Sequence, residues 1–143
     1  AKAWVLGPLR LLPGVSREVW GPVRLTLVEN SGVSFGLFHG HASCTRWALA
    51  GFSLAVALAL AIWARRAARP LIGLSAGLII GGALGNLIDR VRAGEVVDFV
   101  DVTRLYFPWV FNLADSAITV GIVLLLAENF INPHPSPAGT RLA

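Results

Sequence analysis

Three runs of this sequence are apolar for long enough to cross a lipid bilayer, which takes about 20 residues as a helix. They extend from about Thr45 to Ala64, from Pro70 to about Ile88 and from about Asn112 to Phe130. Trp47 and Trp63 sit near the ends of the first run, where indole rings anchor at the membrane interface. Pro70 opens the second, a residue suited to the first turn of a helix. In the third, Asp115 is the only charge before Glu128, and Pro133, Pro135 and Pro137 then end the helix and leave a short tail.

Composition agrees with a lipid-covered chain. The 143 residues have room for one domain, and only 14% of them are charged, against roughly 25% in a soluble domain. Mean hydropathy is +0.68. The net charge of +4 comes from arginine, with Lys2 the single lysine. These arginines fall in the polar joints between apolar runs, where headgroup contact or topology is the commoner reason, and no nucleic-acid recognition motif accompanies them. Cys44 is the only cysteine, so no internal disulfide is expected. His39 and His41 form a His-x-His pair without a nearby third ligand, so neither a metal nor a cofactor is expected. The opening Ala1-Lys2-Ala3-Trp4 reads like the interior of a protein, and a processed or truncated N-terminus is expected.

The second run repeats glycine at Gly73, Gly77, Gly81 and Gly85, which predicts a face for close packing by a neighbouring helix. Outside the runs, Val23 to Glu29 alternates as a strand does and Asn30-Ser31-Gly32 supplies a turn. The β-branched stretch Glu95 to Val102 is also strand-like. Residues 1–44 are too polar to span and too ordered for a linker, which predicts a small sheet or cradle lying on the bilayer. Helix parity places 1–44 and 89–111 on one side, with Arg65–Arg69 and the tail from 131 to 143 on the other. The positive-inside rule does not settle the orientation. Lys2, Arg10, Arg17, Arg24, Arg46, Arg90, Arg92 and Arg104 lie on the first side, against Arg65, Arg66, Arg69 and Arg141 on the second.

The chemistry gathers on the first side. Asn86-Leu87-Ile88-Asp89 closes the second run and Asn112-Leu113-Ala114-Asp115 opens the third. Each is Asn-x-x-Asp, so on a helix the amide and the carboxylate share a face. Asp98 and Asp101 lie between them. Charges at a membrane edge are expensive and usually functional. Asp89 is followed by Arg90 and reads equally as a paired structural charge; Asp101, near Arg104, reads equally as a solvated loop charge. Asp115 is the hardest to explain structurally, since no basic residue stands within a helical turn or two. Asp98 lies between Val97 and Phe99, and a strand would point it away from both. Two carboxylates brought together in a poorly solvated site hold one proton between them, giving a general base and a general acid. Ser34, Ser116 and Cys44 lack a histidine base in any motif, and no phosphate-binding glycine loop is present.

The blocks Asn30-Ser31-Gly32-Val33-Ser34-Phe35, Gly81 to Arg90, Val96-Val97-Asp98-Phe99 and Phe111 to Ser116 resemble, in order and spacing, the motif blocks of bacterial lipoprotein signal peptidase (signal peptidase II). The resemblance covers nearly the whole chain. It implies a mainly α membrane protein, a four-helix bundle with a small extracytoplasmic β cradle, its first span preceding residue 1. It implies an aspartyl endopeptidase of the inner membrane, cutting lipid-modified prolipoproteins before the diacylglyceryl cysteine. Asp98 and Asp115 would be the catalytic pair, selected over Asp89 and Asp101. Asn30, Gly32, Asn86, Asp89, Arg90, Asn112 and Ala114 match residues that line or support the family's site. Family topology places the aspartates on the extracytoplasmic side and the Arg65–Arg69 turn in the cytoplasm.

Two positions depart from the pattern. Lys2 matches the last residue of an Asp-Gln-x-x-Lys motif whose earlier residues are absent, and Ser34 stands where alanine is usual. The expected partners are the prolipoprotein substrate and membrane lipids, without nucleic acid, and a monomer is expected. The rival reading is a small proton- or ion-coupled transport subunit, which predicts carboxylates near the bilayer midplane on several helices.

Overall fold

Helix α3 (Pro70–Arg92) is the spine of the molecule, with α2 (Ala42–Ala64) and α4 (Leu113–Ile131) both packed against it. The computed structural model describes residues 2–9, 11–31 and 42–132. Gly32, Ser34, His39, His41, Arg141 and the proline-rich tail lie outside these. Each of the three helices is long and apolar enough to cross a membrane. Helix α3 is the most covered by protein, whereas α2 and α4 expose most of their apolar side chains, as lipid-facing helices do.

The close approach of α3 to α4 is made by glycines, though not by the predicted stripe. A Cβ on Gly82 would lie 2.6 Å from Ile118 Cγ1 and would also run into the Ala114 carbonyl; one on Gly121 would lie 2.8 Å from the Ser75 carbonyl. Gly73, Gly77 and Gly81 face open space, and of the stripe only Gly85 touches the neighbour, at Ala114. The physical reason is helical pitch. At about 3.6 residues per turn, a four-residue repeat drifts around the helix and cannot hold one face.

Helix α3 runs a turn beyond the expected Ile88, to Arg92. Its last carbonyls are capped from α2: Arg46 Nε donates to the Arg90 carbonyl at 2.6 Å and Nη2 to the Val91 carbonyl at 2.8 Å. Gly94, at φ +92°, then turns the chain into the sheet, a conformation that disfavours any side chain.

Beyond this end of the bundle lies an antiparallel sheet in the order β1 (Ser16–Trp20), β2 (Val23–Asn30), β3 (Val96–Asp101), β4 (Val110–Phe111). Strands β2 and β3 are the two that the alternation of Val23 to Glu29 and the β-branched stretch Glu95 to Val102 announce. Strands β1 and β4 are additions: β1 is exposed throughout, so it carries no alternation, and β4 is two residues long. A short helix α1 (Lys2–Leu6) closes over the sheet, and Val5, Leu11, Leu27, Val97 and Phe99 form the small core beneath it. Both faces of β3 are covered, Val96 to Phe99 being buried without a break.

Candidate active site

The site is assembled where the C-terminal end of α3, the N-terminus of α4 and strand β3 meet. Asn112 is the N-cap of α4, its side-chain oxygen accepting from the Ala114 and Asp115 backbone N–H groups. Asp115 completes a capping box by accepting from the Asn112 backbone N–H at 3.1 Å. Local sequence alone therefore fixes how Asp115 enters the site.

Asn112 also reaches the strand. Its amide nitrogen donates to Asp98 Oδ1 at 2.6 Å and to Asn86 Oδ1 at 3.2 Å. Asn86, from α3, donates to Asp115 Oδ1 at 2.7 Å. Asn30, at the end of β2, donates to Asp98 Oδ2 at 2.9 Å. Asp98 and Asp115 are thus joined through the backbone and side chain of a single residue, Asn112, which is itself fully buried. Asp98 is only 2% exposed. Burial pushes its carboxyl above the usual aspartate range, and the neighbouring Asp115 adds to this; the amides of Asn30 and Asn112, and Lys2, pull in the other direction without prevailing.

The remaining sequence candidates divide. Asp89 is a structural anchor whose partner is not the adjacent Arg90. It takes an ion pair from Lys2 at 2.5 Å and a hydrogen bond from the Val97 backbone N–H at 3.1 Å, tying α3 to α1 and β3. Among the described residues Arg90 donates only to the Asn86 carbonyl, at 3.5 Å, with Asp115, Asp98 and Asp89 all within range of its charge. Ala114 fits beneath Gly82 and Gly85, where a larger side chain would separate the helices. Gly32 lies outside the described residues.

Asp101 is not the solvated loop charge its neighbour Arg104 suggests. It is 3% exposed and bound by Thr26, by the backbone and hydroxyl of Thr103, and by Arg24 at 2.9 Å. Arg104 instead meets Glu18 at the exposed rim of the sheet.

Lys2 is a neighbour of the site that residue-by-residue reading passes over. Besides Asp89 it donates to Asn86 Oδ1 at 3.0 Å, so a cation stands behind the amide that holds Asp115. Its only signals in the sequence are that it is the single lysine and that it matches the end of a motif. Among the described residues, no three of His, Cys, Asp and Glu come together as a metal-ligand set.

Two cavities flank the carboxylates. Asp115 borders one of about 460 Å³, walled by Phe107, Trp109 and Phe111 and extending down α4 past Thr119 to Val120. Asp98 borders another of about 320 Å³, between the end of β2 at Asn30, with Ser31 after it, and the Pro108–Val110 segment. Trp109 stands between the two, its ring edge-on to Phe107 at 5.1 Å.

Comparison with known proteins places this arrangement in context. Residues 1–131 match the family model described as signal peptidase (SPase) II. A lipoprotein signal peptidase of Caulobacter vibrioides is 55% identical over 133 residues, covering 92% of this chain and 79% of that protein. One from Methylobacterium sp. (strain 4-46) is 45% identical, covering 98% and 87%. A bacterial membrane enzyme solved by the in meso method at 2.3 Å resolution superposes with a TM-score of 0.76 at 28% identity, covering 96% of this chain and 85% of that one.

Proposed function

The chain belongs to the signal peptidase II family, and from that premise we propose that Asp98 and Asp115 are its catalytic pair, sharing one proton and directing a water at the scissile carbonyl. The chain removes the signal peptide from prolipoproteins, as its relatives' family does. The aspartyl mechanism rests on one observation above others: Asn112 holds both carboxylates, one through its side chain and one through its backbone N–H.

In this mechanism Asp98, whose burial favours the protonated form, begins as the acid and Asp115 as the base. Water adds to the carbonyl carbon as Asp115 takes one of its protons and Asp98 protonates the carbonyl oxygen. Asp115 then gives its proton to the departing nitrogen and Asp98 recovers one from a hydroxyl of the tetrahedral intermediate. The C–N bond breaks, leaving an acid and a free amine with both carboxyls restored. Asn30, Gly32, Asn86, Asp89, Arg90, Asn112 and Ala114 would be the supporting residues, joined by Lys2 through its contacts with Asn86 and Asp89.

The cut falls just before the diacylglyceryl cysteine. Two features support a lipid-bearing substrate: the cavity beside Asp115 is aromatic, and it descends along a helix that crosses the bilayer. Acyl chains would enter there from the membrane, while the smaller cavity beside Asp98 would take peptide. The sheet would lie on the extracytoplasmic face of the inner membrane. The transport reading finds no support, since the four aspartates gather at one end of the bundle and the relatives are peptidases.

The test is cleavage of a prolipoprotein with and without its diacylglyceryl group, in proteoliposomes, by the parent chain and Asp115→Asn. The expected result is cleavage of the lipidated form alone and its loss, by about 10³-fold or more, in the variant. A folded Asp115→Asn protein that still processes substrate at the parent rate overturns the catalytic assignment.

A further inference from the structure

Among the described residues, helix α2 lines neither cavity beside the carboxylates, yet one of its side chains grips the place where the two halves of the site join. The last two turns of α3 carry Asn86, whose amide holds Asp115, and Asp89, which accepts from the Val97 backbone N–H. Three residues, Ala93 to Glu95, then lead into β3 and Asp98. Whatever fixes this junction fixes how Asp98 stands relative to Asp115.

A helix leaves its last carbonyls without partners of its own. Here the Asp89 carbonyl takes the Ala93 N–H at 2.7 Å and the Arg90 carbonyl takes the Gly94 N–H at 3.1 Å. Arg46 adds two donors from α2: Nε to the Arg90 carbonyl at 2.6 Å and Nη2 to the Val91 carbonyl at 2.8 Å. The same guanidinium lies against the turn, since a Cβ on Gly94 would stand 3.3 Å from Arg46 Nη1. Its other support is the ring of Trp47, over which the guanidinium carbon lies at 5.1 Å from the centroid.

A positive charge at a helix C-terminus is favourable whichever cation supplies it. Two donors held in one plane, on successive carbonyls and flat against a glycine, require a guanidinium. Fastening α2 to α3 does not require one, because the two helices already pack against each other. We propose that Arg46 is a positioning residue for the aspartate pair: by holding the Arg90 and Val91 carbonyls and bracing Gly94, it sets where β3 leaves α3 and so the placement of Asp98 against Asp115. This role rests on the reading of Asp98 and Asp115 as the catalytic pair and reaches the reaction only through them. Without the grip, the end of α3 frays and β3 starts from a looser point. A displacement of about 1 Å at reacting groups is enough to cost about 10²-fold in rate.

The test uses the full chain in proteoliposomes and compares Arg46→Ala, Arg46→Lys and Arg69→Gln with the parent. It reads kcat and KM for a lipidated prolipoprotein, per folded protein, and amide exchange across residues 90–98. Arg69→Gln is the control, because it cuts an ion pair to Glu128 at the far end of α3. Arg46→Ala is expected to lower kcat by about tenfold or more, with KM within about threefold of the parent, and to speed exchange in 90–98. Arg46→Lys, which keeps the charge and one donor, is expected to recover only part of the loss. Arg69→Gln is expected to lower the melting temperature and leave kcat unchanged. Parent kcat in Arg46→Ala, an equal fall in Arg69→Gln, or full recovery by Arg46→Lys each overturns the proposal; where Arg46→Ala does not fold, parent kcat in Arg46→Lys does so alone. Asp98→Asn, measured alongside, separates the two readings. Cleavage by it at the parent rate removes the catalytic pair itself, whereas its inactivity beside a fully active Arg46→Ala removes only the positioning role.

Discussion

Strand β3 carries two aspartates three residues apart, Asp98 at 2% exposure and Asp101 at 3%, yet their surroundings act in opposite senses. Burial acts to raise both. At Asp101 it is overcome by the hydroxyls of Thr26 and Thr103, the Thr103 backbone N–H and the charge of Arg24, which together leave the carboxyl lowered to about 2. Asp98 has only the amides of Asn30 and Asn112, Lys2 being more distant and Asp115 opposed, so its carboxyl stays above the usual range. Depth of burial therefore does not set the direction in which an aspartate shifts. The number and charge of the donors does.

The comparison breaks most visibly in activity. Asp98→Asn is expected to lower prolipoprotein cleavage by about 10³-fold or more, while Asp101→Asn keeps catalysis within about tenfold as long as the protein stays folded. Rates in proteoliposomes, normalised to folded protein, check this. Comparable losses in both variants would erase the distinction drawn between the two ends of β3.

Stability should reverse the ranking. Asp101→Asn leaves Arg24 and its hydroxyl donors without their charged acceptor, at an expected cost of about 2–4 kcal/mol in the sheet. Asp98→Asn removes a charge whose burial is under-compensated, so it is expected to cost far less and to leave the melting temperature nearly unchanged. Melting in detergent, read by tryptophan fluorescence, separates the two. An Asp98 variant that melts below the Asp101 variant contradicts the account.

How much of this contrast was legible in the sequence follows from how far apart the partners lie. The spans announce themselves because hydrocarbon demands an unbroken apolar run, β2 because its residues alternate, and β3 because β-branched residues cluster there. The capping box at Asn112 and Asp115 is equally local. Asp101, by contrast, looks solvated beside Arg104, because its real donor Thr26 stands 75 residues earlier. Asp89 likewise reads in sequence as paired with Arg90, while its cation is Lys2, 87 residues away. The strand β1 is invisible because every residue in it is exposed. Selecting Asp98 over the other two candidates needed the motif blocks, since spacing alone left the choice open.

Acid should also separate the two ends. A carboxyl lowered in the fold contributes stability that is present above its unfolded value and lost as pH falls through the folded one. For Asp101, going from 3.8 to about 2, the window lies between about pH 4 and pH 2 and the amount is roughly 2 kcal/mol. Asp98 has the opposite sign: its contribution is present below the ordinary aspartate range and is lost as pH rises through its raised value. The parent sheet should therefore loosen below about pH 4, and Asp101→Asn should lack that acid transition. Amide exchange of β2 and β3 across this range reads the difference. An unchanged acid transition in the variant would locate the linkage elsewhere.

The smallest expected effect concerns Lys2, the counterpart at Asp98 of what Arg24 is at Asp101. Lys2 acts on Asp98 through space, in the direction of ionisation, and touches the amide of Asn86 that holds Asp115. Lys2→Met removes that cation, so Asp98 should titrate at still higher pH and the pH–rate profile of cleavage should shift upward. A partial loss of rate should accompany the shift, because Asn86 would lose a donor without losing its own bond to Asp115. A structural role at Asp89 alone would lower stability and leave the profile where it was. Asp89→Asn is the control: it weakens the same ion pair while keeping the lysine, so its profile should move less than that of Lys2→Met. Profiles that move equally would mean that Lys2 serves the site only by fastening α1 to α3.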